Sequence, residues 1–391
     1  MAFDGRSCAA FAPSPGVHMA AILREHDPRS ILVTSEATPE LWEYTSDLVT
    51  GFASRGIDVT LALLGAPPSP SQLRILEILP NVRIEVTRLP SVVSAESATD
   101  LSQATSTLLA AANEFAVDLV HLHSPMLAGT KRWTMPVVAS NFSCSGTWWS
   151  TKSTGQMPAD LMWRTRATAI GMSILDCVIA PTWAHACAVT DFYGAGLSLV
   201  SVPIGRRPSL KINPSAEKFV FSAGDIWHEG WNASTMDKIA GSLTVPMYCS
   251  GEPRSLSGST VQLKNLRCLG QIDSQNKDVV LGQASVFISA ATYDPVGIHV
   301  LDAARAGAAL VLSDLPGYRE FWEGAAVFVN PRNADDFVGA AESLLGNSQW
   351  RAEMALNALD RSREYGTERM LQGLLHVYAA VLAKRAIALT A

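Results

Sequence analysis

No stretch of this 391-residue chain holds about 18 consecutive apolar residues, so no membrane span is expected. Residues 1–30 lack a basic start followed by a sustained apolar run, which argues against a signal peptide. Cysteine is sparse and scattered: Cys8, Cys144, Cys177, Cys187, Cys249 and Cys268 form no C-x-x-C pair and share no zinc spacing with histidine. No metal site is therefore expected, and the thiols read as reduced core residues of a cytoplasmic protein. Positive charge is not in excess either. Thirty Lys and Arg against 36 Asp and Glu give a net charge of −6, which points away from nucleic acid and from wholesale binding to an anionic membrane. Local basic patches and peripheral membrane contact stay open. Charged residues make up only 17% of the chain and hydrophobic residues 48%, a globular composition with ample core material. There is no internal repeat, and only residues 66–72 (APPSPSQ) approach low complexity.

What is present is alternation. Short apolar runs occupy residues 31–34, 59–64, 82–86, 118–123, 137–140, 177–180 and 199–202, then 219–223, 247–250, 266–269, 286–289, 309–313 and 327–329. Helical periodicity separates many of them, as over residues 40–55 and 295–306. Strands alternating with helices imply parallel sheets covered by helices. The length suits two domains. The polar, proline-containing stretch RRPSLKINPSAE (206–217) marks the boundary between them. The expected organisation is a flexible extension over 1–27, a first domain over 28–206, a linker over 207–216 and a second domain over 217–370. A final apolar helix, 371–391, should dock back onto the first domain.

The segment with most chemical content is 289–322, SAATYDPVGIHVLDAARAGAALVLSDLPGYREFW, which reads strand, loop, helix, glycine, strand, loop, helix. It resembles the retaining glycosyltransferases of family 4, the glycosyl transferases group 1. These carry E-P-F-G, a second glutamate after seven intervening residues, and later G, S-D and E. Asp294 and Asp302 stand at the two acidic positions with that spacing, and Gly297, Ala303, Gly307, Ser313, Asp314 and Glu320 match as well. The resemblance extends over roughly residues 30–380. DLVHLHSP (118–125) is similar to the family's D-V-V-H-x-H strand end, whose last histidine maps to His123. DCVIAPT (176–182), VPIGR (202–206) and AVFVNP (326–331) resemble further family strands.

The resemblance implies a GT-B fold, that is, two facing Rossmann-like parallel-sheet domains with an inter-domain cleft. It implies that Asp294 accepts sugar hydroxyls, Asp302 accepts ribose hydroxyls, and the backbone N–H groups of Val296 and Gly297 hold a diphosphate at a helix start. Two helical turns between Asp294 and Asp302 would place both carboxylates on one side. By the same resemblance His123 and Asp294 are catalytic candidates and Glu320 belongs to the donor site; Arg206 and Arg207 are added to the donor site because the inter-domain linker borders the cleft. Read from the residues alone, His123 is also a satisfied strand-end histidine, and the two aspartates a cap and a solvated charge.

Four positions depart from the family. Its first loop is Gly-Gly-rich, but Pro39 and Glu40 stand there, removing a donor and adding an anion. Its diphosphate clamp is an Arg and a Lys, but SAGDIWHEGWN (222–232) puts Asp225 and Trp231 in those places. Another family histidine appears as Asn141 or Phe142. Substitute cations are Lys152, Arg164, Arg166, Arg206, Arg207 and Arg319, each otherwise a surface charge. Trp148 and Trp149 fit stacking on a sugar or lipid acceptor, or plain packing. His228 and His299 could fill lost roles. The sequon Asn232-Ala233-Ser234 should be silent in a cytoplasmic protein.

The function expected is transfer of a hexose from a nucleoside-diphosphate sugar to a glycan or glycoconjugate of the cell envelope. No cofactor is expected beyond that donor, and a partner glycosyltransferase is compatible. The alternative is a catalytically inactive relative that binds a sugar, nucleotide or partner protein, favoured by Pro39, Glu40, Asp225 and Trp231. A secreted two-lobed sugar-binding protein is disfavoured by the N-terminus.

Overall fold

Continuous apolar runs without polar alternation suit strands covered on both faces, and parallel sheets bury strands in that way. The computed structural model describes residues 27–152, 155–208, 218–254, 258 and 260–390. Its first sheet contains β1 (Ser30–Glu36), β2 (Asp58–Leu64), β3 (Val82–Val86), β4 (Leu119–Leu122), β5 (Val137–Ser140), β6 (Cys177–Ala180) and β7 (Leu199–Ser201), in the order β3-β2-β1-β4-β5-β6-β7. The second contains β8 (Val220–Ala223), β9 (Met247–Ser250), β10 (Arg267–Cys268), β11 (Val286–Ser289), β12 (Ala309–Ser313) and β13 (Val327–Val329), in the order β10-β9-β8-β11-β12-β13. Every strand pair is parallel. This is a two-domain, Rossmann-like α/β fold.

Strand order reverses between β1 and β4 in one sheet and between β8 and β11 in the other. Crevices open beyond the carboxyl ends of strands at such switch points. The chain leaves β1 through Thr38, an extended N-cap, and Pro39, which starts the Pro39–Ala53 helix. Proline suits that position because its missing N–H would be unpaired there anyway. Glycine starts the helix Ile298–Ala306 after β11: Gly297 has φ 65°, the left-handed region that costs glycine nothing.

The final helix, Thr367–Thr390, buries Met370, Leu371, Leu374 and Tyr378 in the core of the first sheet, against Leu48 and Phe52 of the Pro39–Ala53 helix. The chain thus crosses between the sheets twice, and the crossings touch. Arg206 bridges Gly366, and a Cβ on Gly205 would lie 2.4 Å from the Gly366 carbonyl oxygen. The expected extension falls outside the described residues up to residue 26, as does the expected linker from residue 209 on.

Candidate active site in the inter-domain cleft

The carboxyl ends of β1, β8 and β11 deliver a cavity of about 340 Å3. Glu40 and Tyr44 reach it from the Pro39–Ala53 helix and Phe142 from the loop after β5. Asp225, His228 and Trp231 come from the chain after β8, and Tyr293, Asp294, Val296 and His299 from the chain after β11. The walls are largely apolar, with the rings of Tyr44, Phe142, Trp231, Phe287 and Tyr293 among them, and the carboxylates are those of Glu40, Asp225 and Asp294. Among the described lining residues there is no lysine or arginine.

The charges act on one another. Burial pushes the Asp225 carboxyl up to about 6; the Glu40 charge adds to this, His299 opposes it, and Asp294 adds a smaller push. A carboxyl among other carboxylates in a poorly hydrated cleft keeps its proton longer. His299 Nε2 stands 3.7 Å from Glu40 Oε1. Burial lowers the pKa of His228, with Lys152 adding to it and Asp294 opposing, so its ring stays neutral at neutral pH.

Asp294 fills the anion site that the helix start would otherwise offer. Its Oδ1 accepts the N–H of Gly297 at 2.8 Å and of Val296 at 3.2 Å, and its Oδ2 accepts the Tyr318 hydroxyl at 2.7 Å. The N–H groups expected to hold a diphosphate are therefore occupied by a side chain of the same loop. The one-sided placement of Asp294 and Asp302 also needs correction. The helix begins only at Ile298, so Asp294 lies in the loop before it, and the two carboxylates diverge.

Asp302 points away from the cavity into a buried ion network. Lys277 Nζ lies 2.9 Å from its Oδ2 and Arg206 Nε 3.2 Å from its Oδ1; Arg206 Nη2 and Lys277 also reach Glu43, at 2.7 and 3.5 Å. Burial opposes ionisation of Asp302, but Arg206 and Lys277 outweigh it and hold the carboxyl well below the usual range. Arg207 pairs with Asp47. Glu320 caps a helix of the other domain, its two oxygens accepting the N–H groups of Trp183 and Ala184 at 2.8 Å each. His123 is enclosed, with Nδ1 2.8 Å from Thr34 Oγ1 and Nε2 3.1 Å from Glu36 Oε1. None of these five residues lines the cleft cavity.

Residues 41–205 match the family described as glycosyl transferase 4-like domain, and residues 254–361 match the glycosyl transferases group 1. The chain belongs to the group 1 glycosyltransferases. Its fold is that of sucrose-phosphate synthase from Thermosynechococcus elongatus: TM-score 0.73 at 14% identity, over 91% of this chain and 100% of that one. Anabaena HepE in complex with UDP-glucose superimposes with TM-score 0.70 at 14% identity, over 90% and 99% of the two chains. WaaG, a glycosyltransferase involved in lipopolysaccharide biosynthesis, gives 0.67 at 12% identity, over 89% and 99%. No curated protein matches the chain by sequence. The fold is thus GT-B, and the protein is a nucleotide-sugar-dependent glycosyltransferase.

In this glycosyltransferase the substitute cations are engaged elsewhere. Arg164 donates to the carbonyls of Val92, Val93 and Ala95. Arg319 forks onto Asp314 and Glu323, Lys152 pairs with Glu229 above the Trp148 ring, and Arg166 is exposed. Trp231 is part of the second domain's core, its indole N–H donating to the Ala223 carbonyl at 3.1 Å. The segment around Trp148 is a short helix, Ser145–Ser150, and Trp148 stacks on Tyr293 with ring centroids 6.0 Å apart. Tyr293 and Thr147 share a hydrogen bond of 2.8 Å, which closes this rim across the domains. Asn232 is a structural residue: it takes a left-handed φ of 66° and its amide donates to the carbonyls of Ala290 and Pro331. Asn141 sits behind the cleft, 3.4 Å from His185, and Phe142 packs edge-on to Tyr44. Glu43, Lys277, Tyr293 and Tyr318 carry no motif, which is why the sequence did not single them out.

Proposed function

We propose that this glycosyltransferase moves a hexose from a nucleoside-diphosphate sugar to a glycan or glycoconjugate acceptor, with retention, in the cleft between Glu40 and Asp294. The observation that supports this most is the composition of the cavity. Glu40, Asp225 and Asp294 offer acceptors to sugar hydroxyls, and Tyr44, Phe142, Trp231 and Tyr293 offer apolar faces to the sugar ring. In this reading Asp294 is the catalytic carboxylate that orients the hexose. The leaving diphosphate takes the proton of the acceptor hydroxyl on the same face of the sugar. His123 acts as a positioning residue through Glu36: burial pushes the Glu36 carboxyl up, but His123 together with the Val92 N–H and Ser91 outweighs it and holds the carboxyl below its usual range.

A diphosphate in this cleft meets carboxylates where cations would ordinarily stabilise it, at several kcal/mol per preorganised donor. The diphosphate is accordingly met by proton-bearing groups: protonated Asp225, and the ring N–H groups of His228 and His299. Productive binding is therefore favoured near and below pH 6. Cys144, Cys177, Cys249 and Cys268 are free thiols, in keeping with a cytoplasmic setting. The test is calorimetry with UDP-, GDP- and ADP-sugars at pH 6 and 8, followed by NMR of the product's anomeric configuration. One donor should bind more tightly at pH 6 and give a product of unchanged configuration. An inverted product would remove the retaining step, and absence of binding to every donor would return the non-catalytic alternative.

A further inference from the structure

Behind the cleft, where the two inter-domain crossings run side by side, lies a larger cavity of about 960 Å3. It shares no lining residue with the cleft cavity. The Pro39–Ala53 helix, the Arg206 crossing, the end of the Ile298–Ala306 helix and the second crossing near Gly366 enclose it. Its volume lies at the upper end of the roughly 300–1,000 Å3 typical of small-molecule sites.

Two features of the wall point to one class of ligand. Five arginines line it against only two carboxylates, Asp47 and Glu368. Five buried polar atoms of lining residues have no hydrogen-bond partner among the described residues; Arg206 Nε and Nη2 are held by ion pairs, which leaves Thr50 Oγ1, Arg305 Nη2 and Thr367 Oγ1 with neither. Buried polar groups in native proteins are almost always paired, so each orphan calls for an explanation. All three can donate, and they come from three different elements. A ligand that satisfied them together would present several acceptor oxygens and negative charge. Arginine recognises phosphate oxygens with paired N–H groups, and hydroxyls add further donors. Leu359 and Leu371 supply an apolar wall for an organic moiety.

We infer that this hinge cavity is a second binding site, for a small organic phosphate held by Arg305, Thr50 and Thr367 with Arg207 closing over it. Arg207 is suited to that part because its side chain is 54% exposed and, among the described residues, is paired with Asp47 alone. The site has a route to the cleft domains. Arg206 lines this cavity and also holds Asp302 and Glu43 in the buried network, so a bound phosphate would act on the contact that joins the two sheets.

The experiment is calorimetry of the full chain with a hexose 6-phosphate, AMP and inorganic pyrophosphate, each at 50 and 200 mM salt, with glucose as the uncharged comparison. Binding of at least one of the two phosphate esters is expected, weaker at the higher salt and absent for glucose. The hexose 6-phosphate and AMP arms decide which organic moiety is accepted. Arg305→Gln should weaken that binding at least 10-fold, and Arg305→Lys by less. If Arg305→Gln does not fold, the near-isosteric Thr50→Val and Thr367→Val carry the same test, each with a loss of several-fold. The proposal is overturned if neither ester binds the wild type, if pyrophosphate alone binds, or if the affinity survives in Arg305→Gln and in both threonine variants.

Discussion

Arg206 and Asp302 meet across the boundary between the two sheets, Nε 3.2 Å from Oδ1, with side chains only 5% and 6% exposed. The position that the family uses for the donor ribose is here part of the contact that fixes one domain against the other. Removing one partner of a buried pair strands the other charge, at a cost of roughly 3–5 kcal/mol. Arg206→Ala should therefore lower stability by about that amount in guanidinium denaturation. Arg206→Met combined with Asp302→Leu should recover most of the loss, because Lys277 and Glu43 still pair with each other. The folded carboxyl of Asp302 titrates below its unfolded value. Its contribution is thus present above about pH 4 and lost as pH falls further. Equal destabilisation in the single and double variants would contradict the buried-pair account.

Asp225 has the opposite sign. Its folded pKa, about 6, lies above the ordinary aspartate value of 3.8, so the folded protein binds this proton more tightly than the unfolded chain does. Stability is highest below about pH 4 on this account and declines as pH rises through 6. Asp225→Asn should stabilise the protein by about 2–3 kcal/mol at pH 8, with the difference closing below pH 4. Parallel stability curves for the two proteins across that range would show that Asp225 is not the group responsible.

The same carboxylate should control nucleotide affinity. Asp225→Arg reverses a charge facing Glu40 and Asp294, a change of two units worth about 1–3 kcal/mol each at an effective dielectric near 20. A nucleoside diphosphate should bind at least ~10-fold more tightly than to wild type, and the pH dependence around 6 should flatten. Pairing this with Trp231→Lys, the other half of the family's clamp, is expected to fail. It would place an ammonium in the core where the indole now packs and donates to Ala223. Calorimetry at pH 6 and 8 reads both effects. Weaker binding to Asp225→Arg would mean that Asp225 does not face the phosphates.

Asp294 has a structural task that a substitution can separate from its charge. Asp294→Ala frees the N–H groups of Val296 and Gly297 and the Tyr318 hydroxyl, and should cost about 1–2 kcal/mol of stability. Asp294→Asn keeps an oxygen for the two N–H groups and should cost less, while still lowering transfer. Melting temperature and transfer rate measured on the same preparations distinguish the two roles. Full activity in Asp294→Asn would exclude the carboxylate from the chemistry.

The periodic runs made the sheets legible, because strands buried on both faces leave uninterrupted apolar stretches. Thus 286–289 and 309–313 were readable as β11 and β12 to the residue. Boundaries at helix starts were less legible. The expected helix from residue 295 begins at Ile298, since a capping aspartate and a left-handed glycine occupy the turn before it. The glutamate and aspartate motif positions were legible as positions, but their partners were not. Glu320 serves Trp183, 137 residues away, and Asp302 serves Arg206 from the other domain.

The sequence by itself determined the alternation of strand and helix behind two parallel sheets, and the absence of the family's clamp residues at Asp225 and Trp231. Those follow from local patterns of apolarity and residue type, which need no knowledge of neighbours. Only the tertiary structure decided that Asp294 closes its own anion site, that Asp302 is held by Arg206 and Lys277, and that Arg305, Thr50 and Thr367 face one hinge cavity. Side-chain charge and hydrogen-bonding act over a few ångströms. Which groups come within that range is set by how the two domains pack, not by their order along the chain.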